Sequence, residues 1–168
     1  RDPEARAAYE QTLLRIEALA ILYRQLHESG TGTHVDVVRY LDELSETVTD
    51  SQPGAARGVT IEIAAEPVQA GLYEAMPLGL IVVELLTTSL RHAFPSEGWV
   101  RLTLTRTGDK LARLEIADNG RALPAGFDED MDTGMMLVEA LAGQLGDGLN
   151  TESTPHGSAA SFTFPVWN

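Results

Sequence analysis

Cysteine is absent from the 168 residues, which excludes a disulfide framework, a thiolate metal site and thiol redox chemistry. Positive charge is scarce: 12 Lys and Arg stand against 25 Asp and Glu, a formal net charge of -13. Such a surface repels phosphate backbones and anionic headgroups, so no nucleic-acid partner is expected. No segment has the layout of a signal peptide, and no apolar run approaches the roughly 20 residues that span a bilayer. Membrane insertion is therefore not expected. Histidines at metal-ligand spacing are also lacking: His34 and His156 read as loop residues and His27 as a surface or interface residue. The opening Arg1-Asp2-Pro3 carries no Met, so a cytoplasmic, soluble fragment is the expectation.

What is present is one core's worth of apolar residues, 43% of the chain, arranged first with helical and then with alternating period. Asp2 before Pro3 is a helix start, and Gly30 a stop for a helix to about Glu28. Its apolar positions Leu13, Ile16, Leu19, Ala20, Tyr23 and Leu26 fall on one stripe. A second helix is predicted from about Val35 to Val48, with Val35, Val38, Leu41, Leu44 and Val48 inward. Residues 49–58 are small and polar and read as a connector.

From Val59 the pattern alternates. Val59, Ile61 and Ile63 point one way and Thr60 and Glu62 the other, as in a half-buried strand. Pro77 opens a strongly apolar helix running to about Arg91. Residues 99–106 and 111–117 alternate again about the turn Thr107-Gly108-Asp109-Lys110, which predicts an antiparallel hairpin. A helix over 134–145 and strands near 149–152 and 158–165 complete the chain. Strands in mostly antiparallel pairs with long helices between them make an α+β protein, a two-layer α/β sandwich preceded by two N-terminal helices.

Two motifs carry chemistry. The apolar helix contains Glu84-Leu85-Leu86-Thr87-Thr88-Ser89-Leu90-Arg91-His92-Ala93-Phe94, which places Glu84, Thr88 and Arg91 on neighbouring turns. The strand Leu114-Glu115-Ile116-Ala117 then delivers Asp118-Asn119-Gly120. Taken singly these are an ordinary solvated helix face and a common turn. In this order and at this separation they resemble the nucleotide site of sensor histidine kinases, in the ATPase superfamily shared with gyrase, a heat-shock chaperone and a mismatch-repair ATPase. The resemblance extends further. Leu123-Pro124-Ala125-Gly126-Phe127-Asp128 is similar to the lid of the subfamily whose acceptor helix carries a His-Arg-x-Lys-Asn-Asn box. Thr133-Gly134-Met135-Met136 occupies the place of the second glycine box, and the last strand holds Ser161-Phe162-Thr163-Phe164-Pro165.

That resemblance implies a Bergerat-type ATP-binding fold over residues 51–168, and a second dimerisation helix with a linker helix over residues 1–50. It implies ATP and Mg²⁺ as ligands, with a response regulator receiver domain and a second copy of the chain as partners. Glu84 is the implied catalytic acid beside the phosphates. Thr88, Arg91, Asp118, Gly120, Ala122, Leu123, Gly134, Met135 and Ser161 are the implied nucleotide residues, Asp118 accepting from the adenine amino group. The phospho-accepting His belongs to a preceding helix that this chain lacks, and Arg91-His92 is implied to cap rather than catalyse.

Three departures stand against the family pattern. Thr88 replaces the Mg²⁺-binding Asn, and a β-branched hydroxyl one atom shorter reaches a metal only through water. Ala122 replaces the second glycine of the Asp-x-Gly-x-Gly box. Residues 127–132 hold four acids and no Lys or Arg where a polyphosphate needs cations. The alternative expectation is thus a degenerate kinase-like module that no longer uses ATP and serves as a dimerisation, phosphotransfer or phosphatase docking platform for a response regulator.

Overall fold

The computed structural model describes residues 2–30, 32–53, 56–92, 97–120 and 133–167. Helix α1 spans Pro3–Glu28, capped as its sequence predicts: the Asp2 carboxylate accepts from the Glu4 N–H at 3.0 Å with Pro3 at the first helical position. Gly30 follows at φ +82°, a left-handed conformation that suits glycine. A short strand β1 (His34–Asp36) leads into α2 (Val37–Ser51), whose N-cap Asp36 accepts from the Arg39 N–H.

The chain continues through β2 (Val59–Ala65), β3 (Gln69–Gly71), α3 (Leu72–His92), β4 (Gly98–Gly108), β5 (Leu111–Asp118), α4 (Thr133–Leu145), β6 (Asn150–Thr154) and β7 (Gly157–Pro165). Five strands form one sheet in the order β2-β4-β5-β7-β6, all pairs antiparallel except β2 with β4. The predicted hairpin is β4–β5. Alternation decides its faces: Val100, Leu102 and Leu104 on β4, Ala112, Leu114 and Ile116 on β5, and Phe162 and Phe164 on β7 are buried. Against that face pack the helices, giving the expected two-layer α+β sandwich. β1 and β3 make a separate two-stranded ribbon.

Two sequence expectations need correction. The second helix begins at Val37 rather than Val35, because Val35 pairs with Ala70 in the β1–β3 ribbon; His34 is likewise in a strand, stacked on Trp167 at 4.9 Å, not in a loop. The apolar helix starts at Leu72, so Pro77 lies inside it. Covered by the sheet on one side and by α1 and α2 on the other, α3 buries residues around most of its circumference. Leu72–Arg91 is therefore long and apolar enough, by length and composition alone, to cross a membrane, although no such run was expected; here it is the central core helix.

Helix α1 presents apolar residues on two sides. The residues it buries are Gln11, Leu14, Ala18, Ile21, Leu22, Gln25 and Leu26. Most of the stripe predicted from sequence faces outward: Leu13, Ile16, Leu19 and Tyr23 are exposed, Ile16 at 57% and Tyr23 at 66%, and Tyr9 joins them. Helix α1 thus carries two apolar stripes, and the chain itself covers one. Tyr40 of α2 fastens that covered side. Its hydroxyl donates to the Ala18 carbonyl at 2.9 Å, its ring lies where a Cβ on Gly79 of α3 would have to go, and burial raises its pKa well above the usual tyrosine value.

Candidate nucleotide site

Glu84 sits mid-way along α3 on the side that meets α1, and is 3% exposed. Its Oε1 accepts from Arg15 Nη2 at 2.7 Å. Its Oε2 accepts from Arg15 Nε at 3.2 Å and from Gln11 Nε2 at 2.6 Å. A buried carboxylate needs such charge-assisted partners, and the two-point guanidinium contact fixes its plane. Beside this cluster opens a groove of about 640 Å³, lined by Gln11, Arg15, Glu84, Thr88, Arg91 and Gly134 among others. Thr88 and Arg91 follow Glu84 at helical spacing, and Gly134 brings the first turn of α4, with its backbone N–H groups, to the same opening. Arg91 also leans on Gln52, Nε to Oε1 at 3.4 Å. Four residues named from sequence, Glu84, Thr88, Arg91 and Gly134, are therefore brought together.

Asp118 ends β5 and is 7% exposed. Its Oδ1 accepts from the Gly120 N–H at 3.0 Å, while its Oδ2 accepts from the hydroxyls of Ser89 on α3 (3.2 Å) and Ser158 on β7 (3.1 Å). The turn is braced from outside as well. Asn119 Oδ1 accepts from the Trp99 N–H, and a Cβ on Gly157 would lie 2.2 Å from the Asp118 carbonyl oxygen. Glycine at 157 is thus what lets β7 start against the Asp118 backbone. A carboxylate offers about four acceptor directions; among the described residues three donors meet Asp118.

The remaining expected residues divide. Gly120 is buried at the turn and Met135 half-buried in the first turn of α4. Ala122, Leu123 and the acidic lid lie outside the described residues. Ser161 is not brought to the site. On β7 it alternates with Phe162, so it faces away from the helical layer, opposite Glu115 and Asn150; the serine that reaches Asp118 is Ser158, its register partner. Among the described residues the donor set is poor in Mg²⁺ ligands. Among the described residues no three His, Asp or Glu side chains converge on a metal position, and Glu84 is occupied by its nitrogen donors. Thr88 offers a single hydroxyl.

Sequence reasoning missed Gln11, Arg15, Ser89 and Ser158. The period-two alternation from Phe162 back to Ser158 was the signal for the last. Nothing local marks Gln11 and Arg15, which lie 73 and 69 residues from Glu84.

Comparisons with known proteins bear on the family and the fold. The HisKA_2 family model, described as a histidine kinase, matches residues 1–52. A curated relative, blue-light-activated histidine kinase 2 of Erythrobacter litoralis (strain HTCC2594), is 26% identical over 160 residues, covering 90% of this chain and 46% of the relative. The chain thus spans about half the length of that relative. Among solved structures, the histidine kinase domain of the Erythrobacter litoralis EL346 blue-light activated histidine kinase superposes with a TM-score of 0.82 at 25% identity, over 93% of this chain and 75% of that one. The mycobacterial sensor histidine kinase MprB shares the fold, with a TM-score of 0.64 at 21% identity over 79% of this chain and 96% of its own.

Proposed function

We propose that this chain, a sensor histidine kinase sequence by its family match, its relatives and its fold, binds ATP between α3 and the Asp118 turn and presents it for phosphorylation of a histidine on a dimerisation helix. The observation that carries this reading is the Asp118 carboxylate. It is held by neutral donors, at the end of a strand, and within one hydroxyl of the helix that supplies Thr88 and Arg91. Asp118 would select the adenine amino group. Arg91 and the N-terminus of α4 at Gly134 would meet phosphate oxygens, and catalysis would rest on positioning and charge neutralisation. Phosphoryl transfer would pass to the receiver domain of a response regulator, in the cytoplasm.

Pairing of two copies through α1 is part of the same proposal. Tyr9, Leu13, Ile16, Ala20 and Tyr23 are all exposed and follow a four-three spacing, the pattern of a helix-to-helix seam.

A second reading has its own observation. Glu84, the implied catalytic acid, is tied to α1 by three hydrogen bonds, as suits a docking module that no longer handles ATP. Calorimetric titration of the chain with ATP and ADP, with and without Mg²⁺, separates the two. The nucleotide reading expects micromolar affinity with a small Mg²⁺ dependence, since the described residues contribute so few metal ligands. No binding up to millimolar nucleotide would overturn it in favour of the docking module.

A further inference from the structure

We propose that the groove between α2 and β2 binds an extended, basic segment of a partner protein. That segment adds a strand to β2 and lays alternate Lys or Arg side chains against Asp42, Glu46 and Asp50. The proposal stands apart from the nucleotide reading, since this groove shares no lining residue with the one at Glu84. Three observations carry it.

The first is an open edge. In the order β2-β4-β5-β7-β6, β2 and β6 are the outer strands. The residues of β6 are all exposed, whereas β2 is half-buried at every second position. At the two ends of β2, the Gly58 carbonyl accepts from the Gly98 N–H and the Glu66 N–H donates to the Leu104 carbonyl, both toward β4. Alternation then turns the N–H and C=O of Ile61 and Ile63 the other way. They face an edge with no strand beside it among the described residues.

The second is the groove itself, about 390 Å³, which the same two isoleucines line together with Asp42, Ser45, Glu46 and Asp50 of α2. The three acids recur every four residues, so they share one helix face, and all three are exposed. Glu43, on the side toward α1, is held by Arg24 and Gln25. Asp42, Glu46 and Asp50 have no ion-pair partner among the described residues. Nor do three acids converge there on a metal position. A row of separated carboxylates suits a row of cations rather than a single ion, and the net charge of -13 opposes a second copy of this chain.

The third is Ser45. It is 6% exposed and lines the groove, yet its Oγ has no hydrogen-bond partner among the described residues. A buried hydroxyl left unmet costs stability, so a polar group arriving here gains a partner. An added strand matches all three features: its backbone meets Ile61 and Ile63, and every second side chain faces the helical side where the acids stand.

The test is binding of the end-blocked heptapeptide Lys-Val-Lys-Val-Lys-Val-Lys to the 168-residue chain, by calorimetry and by amide NMR. Binding that shifts the Ile61 and Ile63 amide resonances is expected. Asp42→Asn, Glu46→Gln and Asp50→Asn together should weaken it about tenfold, as the loss of three exposed charge pairs predicts. Asp109→Asn, Glu139→Gln and Glu152→Gln remove the same charge from exposed positions elsewhere and should leave the affinity nearly unchanged. The same peptide methylated at every backbone nitrogen keeps its charge but donates no ladder hydrogen bond, and should bind about tenfold more weakly or worse.

Equal affinity for the methylated peptide overturns the proposal, because charge alone then holds the ligand. An equal loss in the two triple variants also overturns it, marking the field of the whole molecule. So do amide shifts that leave Ile61 and Ile63 unmoved, and absence of binding to the parent chain up to millimolar peptide.

Discussion

Glu84 and Asp118 are both buried carboxylates, yet the chain treats them differently. Glu84 receives an arginine and an amide, so its charge is neutralised inside the protein. Asp118 receives two hydroxyls and a backbone N–H, none of them charged. The first arrangement spends the acid on holding α1 against α3. The second holds an acid in place with neutral donors. An acid's role in such a site follows from whether its donors carry charge, more than from its depth or its place in a motif.

The contrast can be broken at several points. The largest effect is expected from Arg15→Met, which strands a buried carboxylate with Gln11 alone and should cost about 3 kcal/mol in urea unfolding; an unchanged midpoint would mean that the pair does not form in solution. Gly157→Ala comes next, at about 2 kcal/mol, because the new Cβ meets a backbone oxygen that cannot swing aside. Its signature should be a chemical-shift change centred on Asp118 and Asn119. Ser89→Ala and Ser158→Ala should each cost about 1 kcal/mol and weaken adenosine binding, while leaving tripolyphosphate affinity alone.

A third buried ionisable group sharpens the comparison from the neutral side. Tyr40→Phe should cost under about 1 kcal/mol at neutral pH, where only a hydrogen bond is lost. Because burial raises the folded pKa of Tyr40 above its unfolded value, the parent keeps that contribution below pH about 10 and loses it as the pH rises further. The phenylalanine variant should show a shallower alkaline decline in thermal midpoint.

Much of the fold was legible because its signals are local. The alternation of β2, β4, β5 and β7, the Asp2 cap and the helix before Gly146 depend on residues within a few positions of each other. The β1–β3 ribbon was not legible: three residues make no period, and Val35 continues the helical pattern of α2 as readily as it pairs with Ala70. Nor was the covered stripe of α1 legible beside the exposed one. Both stripes are apolar, and the covered one includes Gln11 and Gln25, whose burial makes sense only with Glu84 and Glu43 beside them. The site divided along the same line. Glu84, Thr88, Arg91 and Asp118 announced themselves through motif spacing, whereas Arg15, Gln11, Ser89 and Ser158 enter through contacts between distant segments. Ser161 stands three positions from Ser158, an odd step, which in a strand sends the side chain through to the other face.

The outward stripe of α1 carries one further consequence, of handedness. Tyr9, Leu13, Ile16, Ala20 and Tyr23 repeat at an average of 3.5 residues over about 21 Å of helix, slightly short of the helix's own turn. A seam with that repeat drifts around its axis, so a partner that stays in register along it must follow the drift. Any helix that covers this face will therefore coil about α1 in a left-handed sense.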